Sequence, residues 1–211
     1  MINRLFLLDI DDTLFDTARL KKDISDRLLS LLGDATLLDE FWQLNRSLRN
    51  TPFHVQNTIK NFCEKKGLVE KRDDFFHAFL DHDFATFLYP DVHIELPKLK
   101  ELGTVALFST GDGLFQQVKV QQSGLANLVN YAFIYDNKME EYVQLLQKFD
   151  PHESWYMDNQ HELLELATQL HVATKTVWIQ RNPLEKTSDF VPTLTITSLT
   201  EFTEIIKQKN N

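Results

Sequence analysis

The run Leu5-Phe-Leu-Leu8 leading straight into Asp9-Ile-Asp11-Asp12-Thr13 constrains this chain more than any other stretch. Four uninterrupted apolar residues fit a strand buried on both faces, the habit of a parallel sheet's interior. Ligands of open α/β sheets gather outside the carboxyl ends of such strands, where Asp9 and Asp11 stand. Their two-residue spacing, in an extended segment, sends both side chains to one side. With Asp12 and Asp16 nearby, several negative charges crowd one mouth of the fold. Such crowding raises a carboxyl pKa or recruits a cation, and a hard divalent ion such as Mg²⁺ suits oxygen ligands.

After Phe15 the apolar rhythm turns helical for some seventy residues. Leu20, Ile24, Leu28 and Leu31 mark one helix face that Gly33 can stop. Leu38, Phe41, Trp42 and Leu48 mark a second, and Thr51-Pro52 reads as a cap with proline at the first helical position. Val55, Ile59, Phe62 and Cys63 give a third stripe, closed by Gly67. Phe75, Phe76, Phe79, Leu80, Phe84 and Phe87 fill a fourth, ended by Pro90. This aromatic density is read as the core of a helical mini-bundle. Arg46, Arg49, His54 and Lys60 lie on the same insert, read as a solvated face within reach of a leaving group.

From Lys98 strands and helices alternate, as in βαβ units. Residues 105–108, 131–135, 155–157 and 176–179 read as strands, and Ser198-Leu-Thr-Glu201 as a capping box opening the last helix. The expected fold is therefore α/β: a Rossmann-like, three-layer parallel sheet core formed by residues 1–14 and 90–211, with an all-α cap over 15–89.

Composition narrows the partners. The 211 residues are 43% hydrophobic and 25% charged, ordinary for a globular protein. A net charge of −9 with no basic stripe argues against nucleic-acid polymers and anionic membranes. The lone Cys63 forms no internal disulfide and fits a reducing compartment. The N-terminal apolar run is too short for a signal peptide's core, so the expectation is a cytoplasmic protein, monomer or homodimer.

Four strand ends carry polar residues: Asp9 with Asp11, Ser109 with Thr110, Lys138 just past the third strand, and Asp158. This set can run phosphoryl transfer. One carboxylate attacks phosphorus and forms an acyl phosphate, while a second moves the proton. Ser109 and Lys138 would offer a hydrogen bond and a positive charge to the phosphoryl oxygens, with Mg²⁺ as a further clamp. Lys148 competes for the lysine role but falls inside a helix.

Asp9-Ile-Asp11-Asp-Thr13 resembles the first motif, DxDxT, of haloacid dehalogenase superfamily phosphohydrolases. Leu107-Phe-Ser109-Thr-Gly111-Asp112 is similar to the second motif, Lys138 fits the third, and Met157-Asp158 with Glu162 resembles the fourth. The insert at 15–89 occupies the place of that family's C1-type cap. The resemblance implies Asp9 as nucleophile and metal ligand. It implies Asp11 as general acid/base, lending its main-chain carbonyl to the metal. Thr13 would steady the loop beside the phosphate; Ser109, Thr110 and Lys138 would bind the phosphoryl group; Asp158 would complete the Mg²⁺ site, with Asn159 and Glu162 as further candidates. Dehalogenase members lack the second acid, so Asp11 favours phosphate esters. The implied activity is a Mg²⁺-dependent phosphatase of a small phosphorylated metabolite: a nucleotide, sugar phosphate or flavin phosphate. The alternatives are a phosphomutase of the same family and a non-catalytic phosphate- or metal-binding phospho-acceptor. Asp12, Asp16 and Asp112 are read as turn or capping residues, and Trp178 and Arg181 as packing and surface residues.

Overall fold

The computed structural model describes residues 3–47, 55–182 and 188–209, without the side chains of 46 and 47. The expected helix start at Thr51-Pro52, and Leu48, Arg49 and His54, lie outside the described residues, as does the Arg46 side chain.

Strand β1 (Arg4–Leu8) is buried throughout, as its apolar run requires. It is joined by β2 (Thr104–Thr110), β3 (Tyr131–Tyr135), β4 (Glu153–Asp158), β5 (Lys175–Ile179) and β6 (Leu194–Ile196). The sheet order is β3-β2-β1-β4-β5-β6, and every pairing is parallel. All carboxyl ends therefore fall on one edge, and the order reverses beside β1, where ligand crevices form.

Residues alternate between the two faces of the sheet. Phe6 and Leu8 join one core with helix α5 (Val92–Leu102) and helix α10 (Leu199–Gln208), through Leu99 and Phe202. Leu5 and Leu7 join the other with α8 (Lys138–Phe149) and α9 (His161–Leu170), through Tyr142 and Leu164. Between β2 and β3 lie α6 (Gly113–Gln122) and the single turn α7 (Leu125–Leu128). Two elements go beyond the sequence expectation. Strand β6 has only three residues, too few for a period, and α5 contains Pro97, which reads as a helix breaker.

The insert carries α1 (Thr17–Leu32), α2 (Ala35–Ser47), α3 (Val55–Lys66) and α4 (Arg72–Leu80). Gly33 and Gly67, both at φ +67, stop α1 and α3 in the left-handed region that costs glycine little. The expected fourth helix is shorter than its aromatic stripe. Helix α4 ends at Leu80, and Phe84–Phe87 form a separate 3₁₀ turn. Phe41 packs edge-on to Phe62 with centroids 5.1 Å apart, and Phe75 and Phe79 each lie 5.9 Å from it. The insert leaves and rejoins the sheet on two adjacent backbone segments. Asp16 N donates to Phe87 O (2.8 Å), and Tyr89 N donates to Leu14 O (3.1 Å). Among the described residues no helix is long and apolar enough to cross a membrane.

Candidate active site

Asp9 follows β1 directly and is 3% exposed. Its N–H donates to Met157 O (3.0 Å), which sets it level with Asp158 at the end of β4. Lys138, the first residue of α8, sits between them. Its Nζ donates to Asp9 Oδ1 (2.5 Å) and to Asp158 Oδ2 (2.7 Å). Two features place that lysine: the Asn137 side chain caps α8, and the Lys138 N–H donates to Thr110 Oγ1 (3.1 Å). Its ammonium lies 5.9 Å from the Phe108 ring centroid and 5.6 Å from that of Tyr156.

Asp158 is fully buried and well supplied with donors. Its Oδ1 accepts the Gln160 N–H (2.8 Å), and its Oδ2 accepts both Lys138 and the Tyr156 hydroxyl. Burial is the main reason the Asp9 carboxyl is pushed up to about 7; the charges of Asp158 and Asp11 add to this and Lys138 opposes it. Burial works against the Lys138 charge too, but Asp158 and Asp9 outweigh it and hold its proton more tightly than usual. The Tyr156 hydroxyl is pushed well up by burial and both acids, so it keeps its proton and donates it to Asp158.

Asp11 takes a different direction from Asp9. The extended segment stops at Leu8, and the chain turns so tightly that Ile10 O accepts the N–H groups of Thr13, Leu14 and Phe15. Asp12 turns through φ +55, and its Oδ1 accepts the Thr17 N–H (3.2 Å). The two acids therefore do not share one extended face. Asp11 Oδ1 accepts the Thr17 hydroxyl (2.5 Å) and Lys119 Nζ (2.5 Å), and its Oδ2 accepts Gln116 Nε2 (2.6 Å). Burial works to raise the Asp11 carboxyl, yet the Lys119 charge and these hydrogen bonds hold it below the ordinary value. Lys119 is 1% exposed, with its ammonium 4.7 Å from the Phe15 ring centroid.

The remaining expected residues are placed as follows. Ser109 is buried at the end of β2, and Thr110 next to it borders both Lys138 and a cavity beside Asp11. Thr13 is fully buried and its hydroxyl has no hydrogen-bond partner; it steadies the loop through its carbonyl, which accepts Arg181 Nε (2.9 Å). Asn159 accepts Trp178 Nε1 on its carbonyl (3.0 Å), and its Oδ1 is buried without a partner. Glu162 is exposed on the first turn of α9, away from the buried acids. Asp16 and Asp112 cap α1 and α6, as their positions suggest. Arg181 is no surface residue: it is 6% exposed, and its Nη1 pairs with Asp91 Oδ2 (2.7 Å).

Sequence reasoning missed Lys119, Gln116, Thr17 and Tyr156. A signal for the first two existed: Asp112, Gln116 and Lys119 fall at helical spacing, a polar stripe on the helix that follows Ser109.

Among the described residues no three His, Cys, Asp or Glu side chains cluster as a metal site. The expected Mg²⁺ set needs only two carboxylates and a main-chain carbonyl, since Mg²⁺ keeps several waters. Its chemistry fits. Two buried carboxylates face one ammonium, so the formal charges of the set leave room for a cation.

No protein-family model matches the sequence, and no curated protein matches it. Solved structures do. A protein from Burkholderia xenovorans described as a haloacid dehalogenase-like hydrolase superposes with a TM-score of 0.89 at 20% identity, over 100% of both chains. A 2-haloacid dehalogenase from Pseudomonas syringae gives 0.75 at 17% identity, over 99% of this chain and 100% of its own. A magnesium-bound protein from Bacillus subtilis described as a HAD-hydrolase gives 0.72 at 13% identity, over 98% and 99%. The chain has the fold of the haloacid dehalogenase-like hydrolases.

Proposed function

We propose that the chain is a Mg²⁺-dependent phosphomonoester hydrolase acting through a phospho-aspartyl intermediate on Asp9. The observation that carries this reading is Asp11. A second carboxylate, held by Lys119, Gln116 and Thr17 beside the nucleophile, serves no purpose in displacing a halide, which leaves without a proton.

In the first step an Asp9 oxygen attacks phosphorus in line, the P–O bond to the leaving group breaks, and Asp11 delivers the proton to that oxygen. Asp11 is ionised at rest. The arriving phosphoryl charge raises its proton affinity, as like charges do, so it takes up a proton from solvent as the ester binds and enters the first step protonated. In the second step Asp11 takes a proton from water, which attacks phosphorus and frees Asp9. Lys138 and Ser109 face the phosphoryl oxygens, and Lys138 keeps Asp9 oriented. Asp9, the Asp11 carbonyl and Asp158 would hold Mg²⁺, which supplies charge stabilisation to the transferring group. The insert is read as a cap that excludes water.

Phosphate release from benzyl phosphate, measured with Mg²⁺ and with chelator, tests the reading. We expect Mg²⁺-dependent turnover that Asp9→Asn lowers by at least about 10⁴-fold. Turnover surviving in Asp9→Asn, or release of halide from a 2-haloacid in place of phosphate, overturns it.

A further inference from the structure

A cavity of about 280 Å³ opens beside Asp11, between the insert and α6. Thr110 borders it and also accepts the Lys138 N–H, so the cavity begins where the phosphoryl site ends. A leaving group released from a phosphoryl group on Asp9 has this space to enter. Its size lies at the low end for ligand pockets, which favours a compact leaving group.

Most of the wall is apolar, formed by Leu20, Ile24, Trp42, Phe79 and Phe115, with Lys21 and Asn45 as the polar groups on the insert's side. A sugar ring placed there would bury most of its hydroxyls against carbon, with few partners to replace water. The polar end is already matched in charge. Lys119 pairs with Asp11, and Asp112 accepts the N–H groups of Phe115 (2.8 Å) and Val55 (2.8 Å). A carboxylate at this end of the ligand would meet these two acids and be repelled. One buried need is unmet. Gln116 is 4% exposed and gives Nε2 to Asp11, which leaves its Oε1 a buried acceptor with no hydrogen-bond partner.

We infer that the substrate is a phosphomonoester whose leaving group is a compact, uncharged apolar body of single-ring bulk, carrying one O–H or N–H donor for Gln116 Oε1. This rests on the hydrolase reading above. It narrows the open choice among nucleotide, sugar and flavin phosphates towards a smaller and more apolar leaving group.

The test compares wild-type kcat/KM, with Mg²⁺, for benzyl phosphate, the three hydroxybenzyl phosphates, glucose 6-phosphate and ethyl phosphate. Benzyl and glucose 6-phosphates both leave as primary alcohols, so intrinsic reactivity is matched. Benzyl phosphate is expected to exceed glucose 6-phosphate by at least ~30-fold. At least one hydroxybenzyl isomer is expected to exceed benzyl by about fivefold, the worth of one neutral hydrogen bond. Trp42→Ala, which removes one wall, is expected to cut the benzyl preference by about tenfold, through KM. The wild-type comparison decides alone if that variant fails to fold. Ethyl phosphate turned over with no benzyl preference overturns the inference and spares the hydrolase reading. Benzyl preference with no hydroxybenzyl gain overturns the donor for Gln116. If no ester is hydrolysed, ethyl phosphate included, the hydrolase reading falls and this inference with it.

Discussion

Two lysine–carboxylate centres stand at one edge of the sheet, and they are built differently. Lys138 lies between Asp9 and Asp158, all three almost wholly out of solvent. Lys119 faces Asp11 alone, and the Asp11 side chain stays 32% exposed to the cavity. The first centre has one positive charge for two negatives, and its Asp9 is pushed up to about 7, chiefly by burial. The second is balanced, and its acid is held below the ordinary value. An over-acidic centre suits a site that takes a cation. A balanced, partly open one suits a group that must exchange protons with a ligand.

The largest effect should come from unbalancing the first centre. Lys138→Met leaves two buried carboxylates without their partner, and we expect a loss of about 3–5 kcal/mol in unfolding free energy, read from urea denaturation. An undiminished midpoint would mean that the two acids are not buried together.

The pH dependence of stability should separate the centres by sign. Asp9 is raised from 3.8 to about 7, so the native state holds a proton that the unfolded chain has lost. Its contribution is full below about 3.8 and disappears as pH rises through about 7. Asp11 is lowered, so its contribution is present above the ordinary 3.8 and disappears as pH falls through its folded value. In chelator, thermal midpoints of Asp9→Asn should lack the decline towards neutral pH, and those of Asp11→Asn should lack the decline towards acid. A variant that changes the opposite limb would reverse the assignment.

Lys119→Met should cost less stability than Lys138→Met, about 1–3 kcal/mol, because Asp11 keeps water and two neutral donors. Its kcat should fall while KM for ethyl phosphate changes little; a loss confined to KM would place Lys119 in binding instead. Smallest of all, Tyr156→Phe removes one of three donors from Asp158 and should cost about 1–2 kcal/mol, with folding otherwise intact.

What the sequence disclosed and withheld follows one physical line. The placement of Asp9, Ser109 and Asp158 was legible because buried strands leave unbroken apolar runs that stop at the polar residue on the sheet edge. Lys138 was legible because it opens the next helix. The divergence of Asp9 and Asp11 was not, since the turn at Ile10 depends on backbone hydrogen bonds that no side-chain pattern announces. Tyr156 read as one more apolar strand residue, and its hydroxyl matters only through Asp158, its neighbour on the same face. Arg181 looked superficial because its partners, Thr13 and Asp91, are far away in sequence. Glu162, one helical turn past Asp158, had the expected spacing, but α9 points it to solvent.

The paired backbone segments at 14–16 and 87–89 make the insert a lever. Helix α1 starts at Thr17, immediately beyond the crossing, and its first hydroxyl is one of the three donors on Asp11. Any rocking of α1 about that crossing is delivered to the Asp11 carboxylate itself. A guest that props α1 open loosens the acid, and one that lets α1 settle secures it, so fit and chemistry are geared together by a single hydroxyl.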